Sequence, residues 1–198
     1  GEMKYKKYCK HLKYISQDFN QYDWKWNNEG LQTQTWDRNT DITSDIIDIP
    51  VESWSFDTIM CTEVFEHIPY PEKAVKEFER ILKKGWILIL TAPFASLTHF
   101  APFFYCTWFS RFWYQKILED NGFEINEISH YWNFFQSEIL RTLYVFKNYW
   151  NRFLFIPLSI LLLCFIIPLI LLLKLCSLFS KKSEDILCFW IMVSATKK

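Results

Sequence analysis

Residues 55–91, SFDTIMCTEVFEHIPYPEKAVKEFERILKKGWILILT, decide the fold of this chain. The segment opens with an apolar run, 55–62, that is typical of a strand covered on both faces. A helix is predicted over 72–84, because apolar residues recur on one face, acids come early, lysines come late and Gly85 follows as a stop. The run 86–91 then predicts a second buried strand. This order indicates a strand–helix–strand unit with parallel strands.

The flanking segments extend this pattern in both directions. They contain further predicted elements in alternation, namely a helix over 4–12, strands over 14–19 and within 41–49, a helix over 108–120 and strands over 123–128 and 186–193. We therefore expect an α/β fold with a mainly parallel sheet and flanking helices.

The composition argues against some classes of function. Lysine and arginine (22) balance aspartate and glutamate (22), so no large basic surface is available for phosphates, and no nucleic acid is expected as a partner. Aromatic residues make up 20% of the chain, which suggests an apolar ligand, a membrane surface or both. The six cysteines have no spacing that suits zinc, so we expect reduced thiols and no metal.

An apolar run at 153–173 precedes the last predicted strand. Its length is about that of a membrane-spanning helix, since roughly 20 residues cross the hydrocarbon core. A simple span would leave 186–193 on the far side of the bilayer, and cationic residues flank both ends of the run: Lys147, Arg152, Lys174, Lys181 and Lys182. We predict a re-entrant hairpin broken at Pro168, or a helix lying in the lipid interface, peripheral to the cytoplasmic face of a membrane. A buried core helix is the alternative.

These predictions divide the chain into three parts. A domain covers 1–152, an apolar, membrane-associated helical insertion covers 153–180, and a strand that returns to the domain lies in 181–198. Because the chain begins with Gly1 and an amphipathic segment follows almost at once, we expect the domain to be incomplete at its N-terminus.

Ligand chemistry is expected at the carboxyl edge of the predicted sheet, where open α/β sheets bind their ligands. Polar residues lie at this edge on four predicted strands. Asp18 ends the first strand, Asp45 lies in the second, Thr62 and Glu63 follow the third, and the loop 93–99 follows the fourth. A carboxylate after the first crossover can accept both hydroxyls of a ribose, because it offers two oxygens to a diol. Asp18 stands at about the expected spacing, roughly 20 residues, from Gly1. An ordinary turn residue is the alternative for Asp18.

Four motifs resemble the class I SAM-dependent methyltransferases, in the branch similar to the ubiquinone and menaquinone methyltransferases. They are SFD at 55–57, EVFEHIP at 63–69, ERILKKG at 79–85 and TAPF at 91–94, and the similarity covers roughly 1–128. The resemblance implies a Rossmann-like fold with a last antiparallel strand, and S-adenosyl-L-methionine (SAM) as the methyl donor. It also implies that the first strand of the sheet is missing from this chain.

The resemblance assigns roles to single residues. On the donor side, Gly1 resembles the last glycine of the SAM loop, Asp18 with Phe19 the ribose position, Asp45 with Ile46 the pair beside the adenine, and Thr62, Glu63 and His67 the turn under the methionine end. On the acceptor side, it points to His99, Tyr105 and Arg111, with His67 and His99 as candidate catalytic bases. The alternatives are packing for His67, solvent exposure for His99 and a capping role for Glu63.

Three functions stay open at this point. The favoured one is SAM-dependent methyl transfer to a small acceptor that is lipid-linked or membrane-associated, such as a quinone precursor or a glycan intermediate. The second is a non-catalytic membrane-associated scaffold that keeps the fold. The third, a nicotinamide oxidoreductase, is weakened by the EVFEHIP turn at 63–69 and by the antiparallel last strand.

Overall fold

The computed structural model describes residues 5–20, 39–107, 109–149, 156–180 and 182–198. The strands and α-helices are β1 (Gln17–Asp18), β2 (Ile42–Thr43), β3 (Phe56–Thr62), α1 (Pro71–Ile81), β4 (Leu82–Pro93), α2 (Arg111–Asp120), β5 (Phe123–Tyr131), α3 (Phe134–Tyr149), α4 (Ile156–Phe179) and β6 (Trp190–Lys197). Short 3-10 helices lie at Lys6–Tyr8, Phe65–His67 and Ser183–Asp185.

Four strands form the main sheet in the order β3–β4–β6–β5. β3 and β4 are parallel, whereas β6 runs antiparallel to both of its neighbours. Three strands therefore point the same way and only the last is reversed, which confirms the predicted Rossmann-like α/β fold. β1 and β2 pair in parallel as a separate sheet, and β3 lies at the edge of the main one. In the part of the chain that the structure describes, no strand fills the position between β1 and β3.

Helix α1 ends earlier than predicted. Leu82 has extended backbone angles, so the chain passes directly from α1 into β4. Gly85 is not a helix stop but lies inside β4, where the pairing with β3 jumps from Phe56–Leu82 to Thr58–Ile87. Its φ of +77° is the left-handed conformation that glycine adopts without strain, so this bulge depends on glycine.

Replacing Gly85 with alanine should lower the free energy of unfolding by about 1–2 kcal/mol. The cost comes from the backbone alone, because a Cβ built at this position meets no atom within 4 Å. Urea unfolding of the two proteins measures the difference. Lys84→Ala, one position earlier, is the matched control and should change stability by no more than about 0.5 kcal/mol. Equal stability of G85A and K84A would contradict the role of Gly85.

The two ends of the described chain differ from the predictions. The helix expected over 4–12 is only a 3-10 turn, and Tyr8 and Leu12 are 69% and 56% exposed, so the apolar face that would stabilise a longer helix is not buried. β1 and β2 are likewise shorter than expected. The last strand, β6, lies later than the predicted 186–193.

One face of α1 and one face of the main sheet enclose the hydrophobic core. From α1, Ala74, Val75 and Phe78 are buried against the sheet residues Leu88 and Leu90. Helix α1 also contacts α2, which packs on β5 and β6. On the opposite face of the sheet, Met60 and Ile87 are 36% and 40% exposed, so the prediction that these strands are covered on both faces is wrong.

Helices α3 and α4 leave the sheet between β5 and β6 and pack against each other. The Asn133 side-chain amide donates to the backbone carbonyl and hydroxyl oxygens of Ser177, both at 3.1 Å, so the start of α3 meets the end of α4. The two helices therefore form an antiparallel hairpin whose base returns to the sheet. The predicted break at Pro168 is wrong, because α4 continues through it; proline keeps a helical φ and removes one hydrogen bond.

The described side chains of α4 are largely exposed. The exposed large apolar residues of α4 are Phe165, Ile167, Leu169, Leu171, Leu172, Leu175, Leu178 and Phe179. The domain does not enclose α4, so the buried core helix considered as an alternative is not found. Across the described residues, no helix has the combined length and apolar character needed to cross a membrane.

Candidate functional site

Glu63 joins the ends of three strands at the carboxyl edge of the main sheet. It follows Thr62, the last residue of β3, and has a positive φ of 53°. Its backbone N–H donates to the carbonyl of Thr91 in β4 (2.9 Å), and the Thr91 hydroxyl donates to Glu63 Oε1 (2.8 Å). The Trp190 indole of β6 donates to Oε2 (2.8 Å). Glu63 is thus held in place by β4 and β6, and sequence reasoning missed Trp190 altogether.

The other predicted donor-side residues lie beside the two-stranded sheet. Asp18 ends β1, is 8% exposed, and its Oδ1 accepts the backbone N–H of Asn20 (2.9 Å). Asp45 lies after β2 rather than within it, since the strand ends at Thr43, and Ile46 is buried in the core. Phe19, next to Asp18, is half-buried. Gly1 lies outside the described residues.

Glu66 is the residue that the sequence analysis missed. It lies in the 3-10 turn Phe65–His67 with an exposure of 0%, and its backbone carbonyl accepts the N–H of Tyr105 (2.8 Å). Among the described residues, neither carboxyl oxygen of Glu66 has a hydrogen-bond partner. Burial, followed by the nearby Glu63 carboxylate, raises the pKa of Glu66 to about 8.

His67 and His99 each point their Nε2 atom towards Glu66. Nδ1 of His67 donates to the Phe103 carbonyl (2.6 Å), and Nδ1 of His99 donates to the Leu97 carbonyl (2.9 Å), because a carbonyl can only accept. The lone pair of each neutral ring therefore lies on Nε2. These Nε2 atoms are 3.6 and 3.8 Å from Glu66 Oε1, and the ring centroids are 4.8 Å apart.

His67 is a neutral imidazole at physiological pH. Burial lowers its pKa to about 4, and the charge of His99 acts in the same direction, while the hydrogen bond to the Phe103 carbonyl opposes them. A neutral ring with a lone pair on Nε2 can accept a proton or bind a cation. His67 and His99 were predicted as candidate bases, and the structure places their rings in contact; their chemical role stays a prediction.

The loop after β4 encloses this cluster with aromatic rings. Phe100 and Phe104 lie 5.3 and 6.4 Å from the His67 ring, and Phe104 lies 5.1 Å from His99. Tyr105 is 52% exposed and Arg111 is exposed, with its guanidinium over the Phe112 ring. The structure therefore brings His67 and His99 together, and it leaves the acceptor-side roles of Tyr105 and Arg111 as predictions.

The family comparison agrees with this arrangement of strands and loops. Residues 4–90 match the family model described as a methyltransferase domain. Residues 4–90 of this chain are therefore similar to a methyltransferase domain. This match confirms the predicted resemblance to methyltransferases, and the matched residues include the EVFEHIP turn with Glu63, Glu66 and His67. No curated protein matches the chain.

Several solved structures are similar to this chain. A putative methyltransferase from Bacillus halodurans is 20% identical, with 78% of this chain and 76% of that chain covered and a TM-score of 0.44. Phosphoethanolamine N-methyltransferase 2 from Haemonchus contortus, in complex with phosphomonomethylethanolamine and S-adenosylhomocysteine, is 19% identical, with coverages of 78% and 36% and a TM-score of 0.44. A putative sarcosine dimethylglycine methyltransferase from Galdieria sulphuraria is 13% identical, with coverages of 79% and 58% and a TM-score of 0.44.

The chain spans 36% of the length of the Haemonchus contortus structure and 58% of the length of the Galdieria sulphuraria structure. At such identities and TM-scores, the likeness does not carry a substrate over to this chain. What the protein acts on is therefore a separate question.

Proposed function

We propose that this protein transfers a methyl group from SAM to a small acceptor that is presented at a lipid surface. The match of residues 4–90 to a methyltransferase domain is the observation that carries the proposal of methyl transfer. SAM supplies an electrophilic methyl group, so the chain has to bind donor and acceptor in line and keep water away.

The donor-side residues fit a nucleoside with an attached amino acid. Asp18 offers a carboxylate to the ribose hydroxyls, and Ile46, with Asp45 beside it, offers an apolar contact for the adenine. Thr62 and Glu63 would lie at the methionine end, where Glu63 is held in place by β4 and β6. Phe19 would contact the ribose position.

The acceptor side is the loop after β4 together with the 3-10 turn Phe65–His67. Aromatic rings around His67 and His99 exclude water and favour an apolar acceptor. The lone pairs on the two Nε2 atoms are suited to hold or accept a proton from an acceptor hydroxyl. Tyr105 and Arg111, which are accessible, would contact the outer part of the acceptor.

Helix α4 supports the lipid surface as the place of the reaction. Its exposed apolar residues, such as Phe165, Leu171 and Leu178, form a larger apolar surface than a small domain leaves uncovered in water. Partition of this surface into the boundary between head groups and acyl chains would bury it. We therefore propose that the α3–α4 hairpin anchors the domain to the cytoplasmic face of a membrane. Small lipid-linked molecules would then reach the loop after β4.

Placing charge on α4 should separate the protein from lipid. We expect the double variant Leu171→Glu and Leu175→Glu to bind phosphatidylcholine vesicles at least about tenfold more weakly, since burial of each leucine contributes about 1.5–3 kcal/mol. Vesicle flotation measures binding. In parallel, SAM labelled in its methyl group is incubated with vesicles made from a membrane lipid extract, and label transferred to the organic phase should fall for the same variant. Leu12→Glu, at an exposed leucine far from α4, is the matched control.

The two readouts separate the parts of this proposal. Unchanged flotation of the double variant would show that α4 is not the lipid contact. Label that enters only a water-soluble product would contradict the lipid-linked acceptor and leave methyl transfer intact. If the wild-type protein floats with vesicles but neither binds SAM nor transfers label, the scaffold alternative is correct.

A further inference from the structure

Three potential ligand atoms converge inside the protein without a partner between them. Oε1 of Glu66 and Nε2 of His67 and His99 all lie within 4.8 Å of one another. The Glu66 side chain is 0% exposed, His67 14% and His99 27%. The cluster therefore combines three coordinating atoms with burial, and it joins two loops that lie far apart in the sequence.

Hydrogen bonds between the three side chains do not explain why their ligand atoms face one another. Both Nδ1–H groups donate to backbone carbonyls, so both Nε2 atoms are acceptors that face a carboxyl oxygen, which is also an acceptor. One proton on Glu66 could join one of these pairs, but separations of 3.6 and 3.8 Å exceed a hydrogen bond to either ring. A cation between the three atoms would satisfy all of them together.

We propose that Glu66, His67 and His99 bind a divalent transition-metal ion. Two imidazoles and one carboxylate form a ligand set that suits zinc and its neighbours in the first transition row. Tetrahedral ligands at about 2.1 Å from zinc lie about 3.4 Å apart. The two separations from Glu66 Oε1, 3.6 and 3.8 Å, need to close by only a few tenths of an ångström, and the two imidazoles, whose ligand atoms lie within 4.8 Å of each other, would turn further towards the ion.

Two features beyond the ligand atoms agree with a metal site. Metal-binding histidines usually donate their second ring N–H to a carbonyl or carboxylate, which fixes the tautomer, and His67 and His99 both do so. The backbone of Glu66 is held in place, because its carbonyl accepts the Tyr105 N–H and its neighbour Phe65 is packed in the core. The ligands are thus held by the fold rather than by the metal alone.

Three protein ligands leave coordination positions open, as in catalytic rather than structural zinc sites. If the proposed methyl transfer is correct, an acceptor oxygen would occupy such a position, and the metal would favour its deprotonated form. In that case His67 and His99 are ligands rather than bases. This departs from the sequence-based expectation of no metal, which stays untested. Binding of the metal itself does not depend on the proposed reaction.

Cobalt(II) titration of the full chain, purified without a histidine tag, tests the proposal. Wild-type protein should bind one cobalt ion per chain, with visible absorption typical of nitrogen and oxygen ligands and without thiolate charge transfer, and zinc should displace it. Glu66→Gln and His99→Asn should each weaken binding at least about tenfold. His130→Asn, at a histidine on β5 outside the cluster, is the matched control and should leave binding unchanged.

Each outcome decides the proposal. Absence of saturable cobalt binding by folded wild-type protein, or equal binding by E66Q, H99N and H130N, would overturn it. A strong thiolate band would also overturn it, because the ligands would then be cysteines. Circular dichroism of each variant verifies folding, and His99, on a partly exposed loop, can be replaced without opening the core. SAM binding is measured on the same samples, so failure of the methyltransferase proposal is detected separately.

Discussion

Replacing Phe65 with alanine should lower the free energy of unfolding by about 3–5 kcal/mol, the range found for buried phenylalanines. Phe65 is 1% exposed and begins the 3-10 turn that carries Glu66 and His67. Its ring packs against Phe78, and edge-on against Phe109 and Trp113, at centroid distances of 6.3, 6.1 and 6.1 Å. Removal of this ring leaves a cavity between α1, α2 and the turn.

Urea unfolding of wild type, Phe65→Ala and Phe65→Leu measures this effect. The leucine variant keeps much of the volume and should cost less than about 1.5 kcal/mol. Phe112→Ala is the matched control, because Phe112 is 65% exposed and its loss should cost no more than about 0.5 kcal/mol. If F65A were no less stable than F112A, the turn would not be anchored by Phe65 as described.

The elements that sequence predicted well have local signals. Helix α1 begins with a proline at its first position, and Ala74, Val75 and Phe78 form one apolar face that the structure buries. β3 and β4 are continuous apolar runs, which predicted the strands correctly but also predicted burial of both faces, whereas Met60 and Ile87 on the uncovered face are 36% and 40% exposed. For α1, the pattern that directs local structure is also the pattern that directs burial.

The position of β6 could not be predicted from local pattern. The apolar run 186–193 indicated a strand, but the strand is Trp190–Lys197, with Ile191, Val193, Ala195 and Lys197 buried in alternation. Lys197 is 2% exposed; its ammonium group donates to the carbonyls of Glu79 and Leu82 and pairs with the Glu79 carboxylate. Lysine is usually an exposed residue, so the sequence predicts exposure at this position. Only the tertiary arrangement places the Glu79 and Leu82 carbonyls where they accept from the buried ammonium group.

The candidate site was predicted in part for the same reason. Thr62 and Glu63 were predicted because they follow a strand, His99 because it lies in the loop after the next strand, and His67 through the family resemblance. Glu66 was missed, since an acid beside a histidine in a turn is usually solvated. Its burial depends on the loop after β4, which folds back over the turn through Phe103 and Tyr105. No pattern within 63–69 contains that contact.

Replacing Asp18 with asparagine should weaken SAM binding by about 1.5–3 kcal/mol, or roughly 10- to 150-fold, if Asp18 is the ribose acid. The carboxylate would accept two ribose hydroxyls, and its charge strengthens both bonds. Asparagine keeps an oxygen that can accept the Asn20 N–H, so the turn after β1 is retained while the charge and one acceptor are lost. Isothermal titration of the full chain with SAM measures the change in affinity.

Asp57→Asn is the matched control for this measurement. Asp57 also lies on a strand, but it is exposed and pairs with Lys83. It lies at the opposite end of β3 from Thr62, so its side chain cannot contact a ligand at the proposed donor site. Loss of an exposed ion pair changes stability by at most about 1 kcal/mol and should leave SAM affinity within twofold of wild type.

Thermal unfolding of D18N is recorded with SAM absent, because β1 and β2 form a small sheet whose loss would also remove binding. If D18N is as stable as wild type and binds SAM equally well, Asp18 is an ordinary turn residue and the ribose must be held elsewhere. If D18N binds more weakly without loss of stability, the two-stranded sheet is part of the donor site, although it lies outside the main sheet.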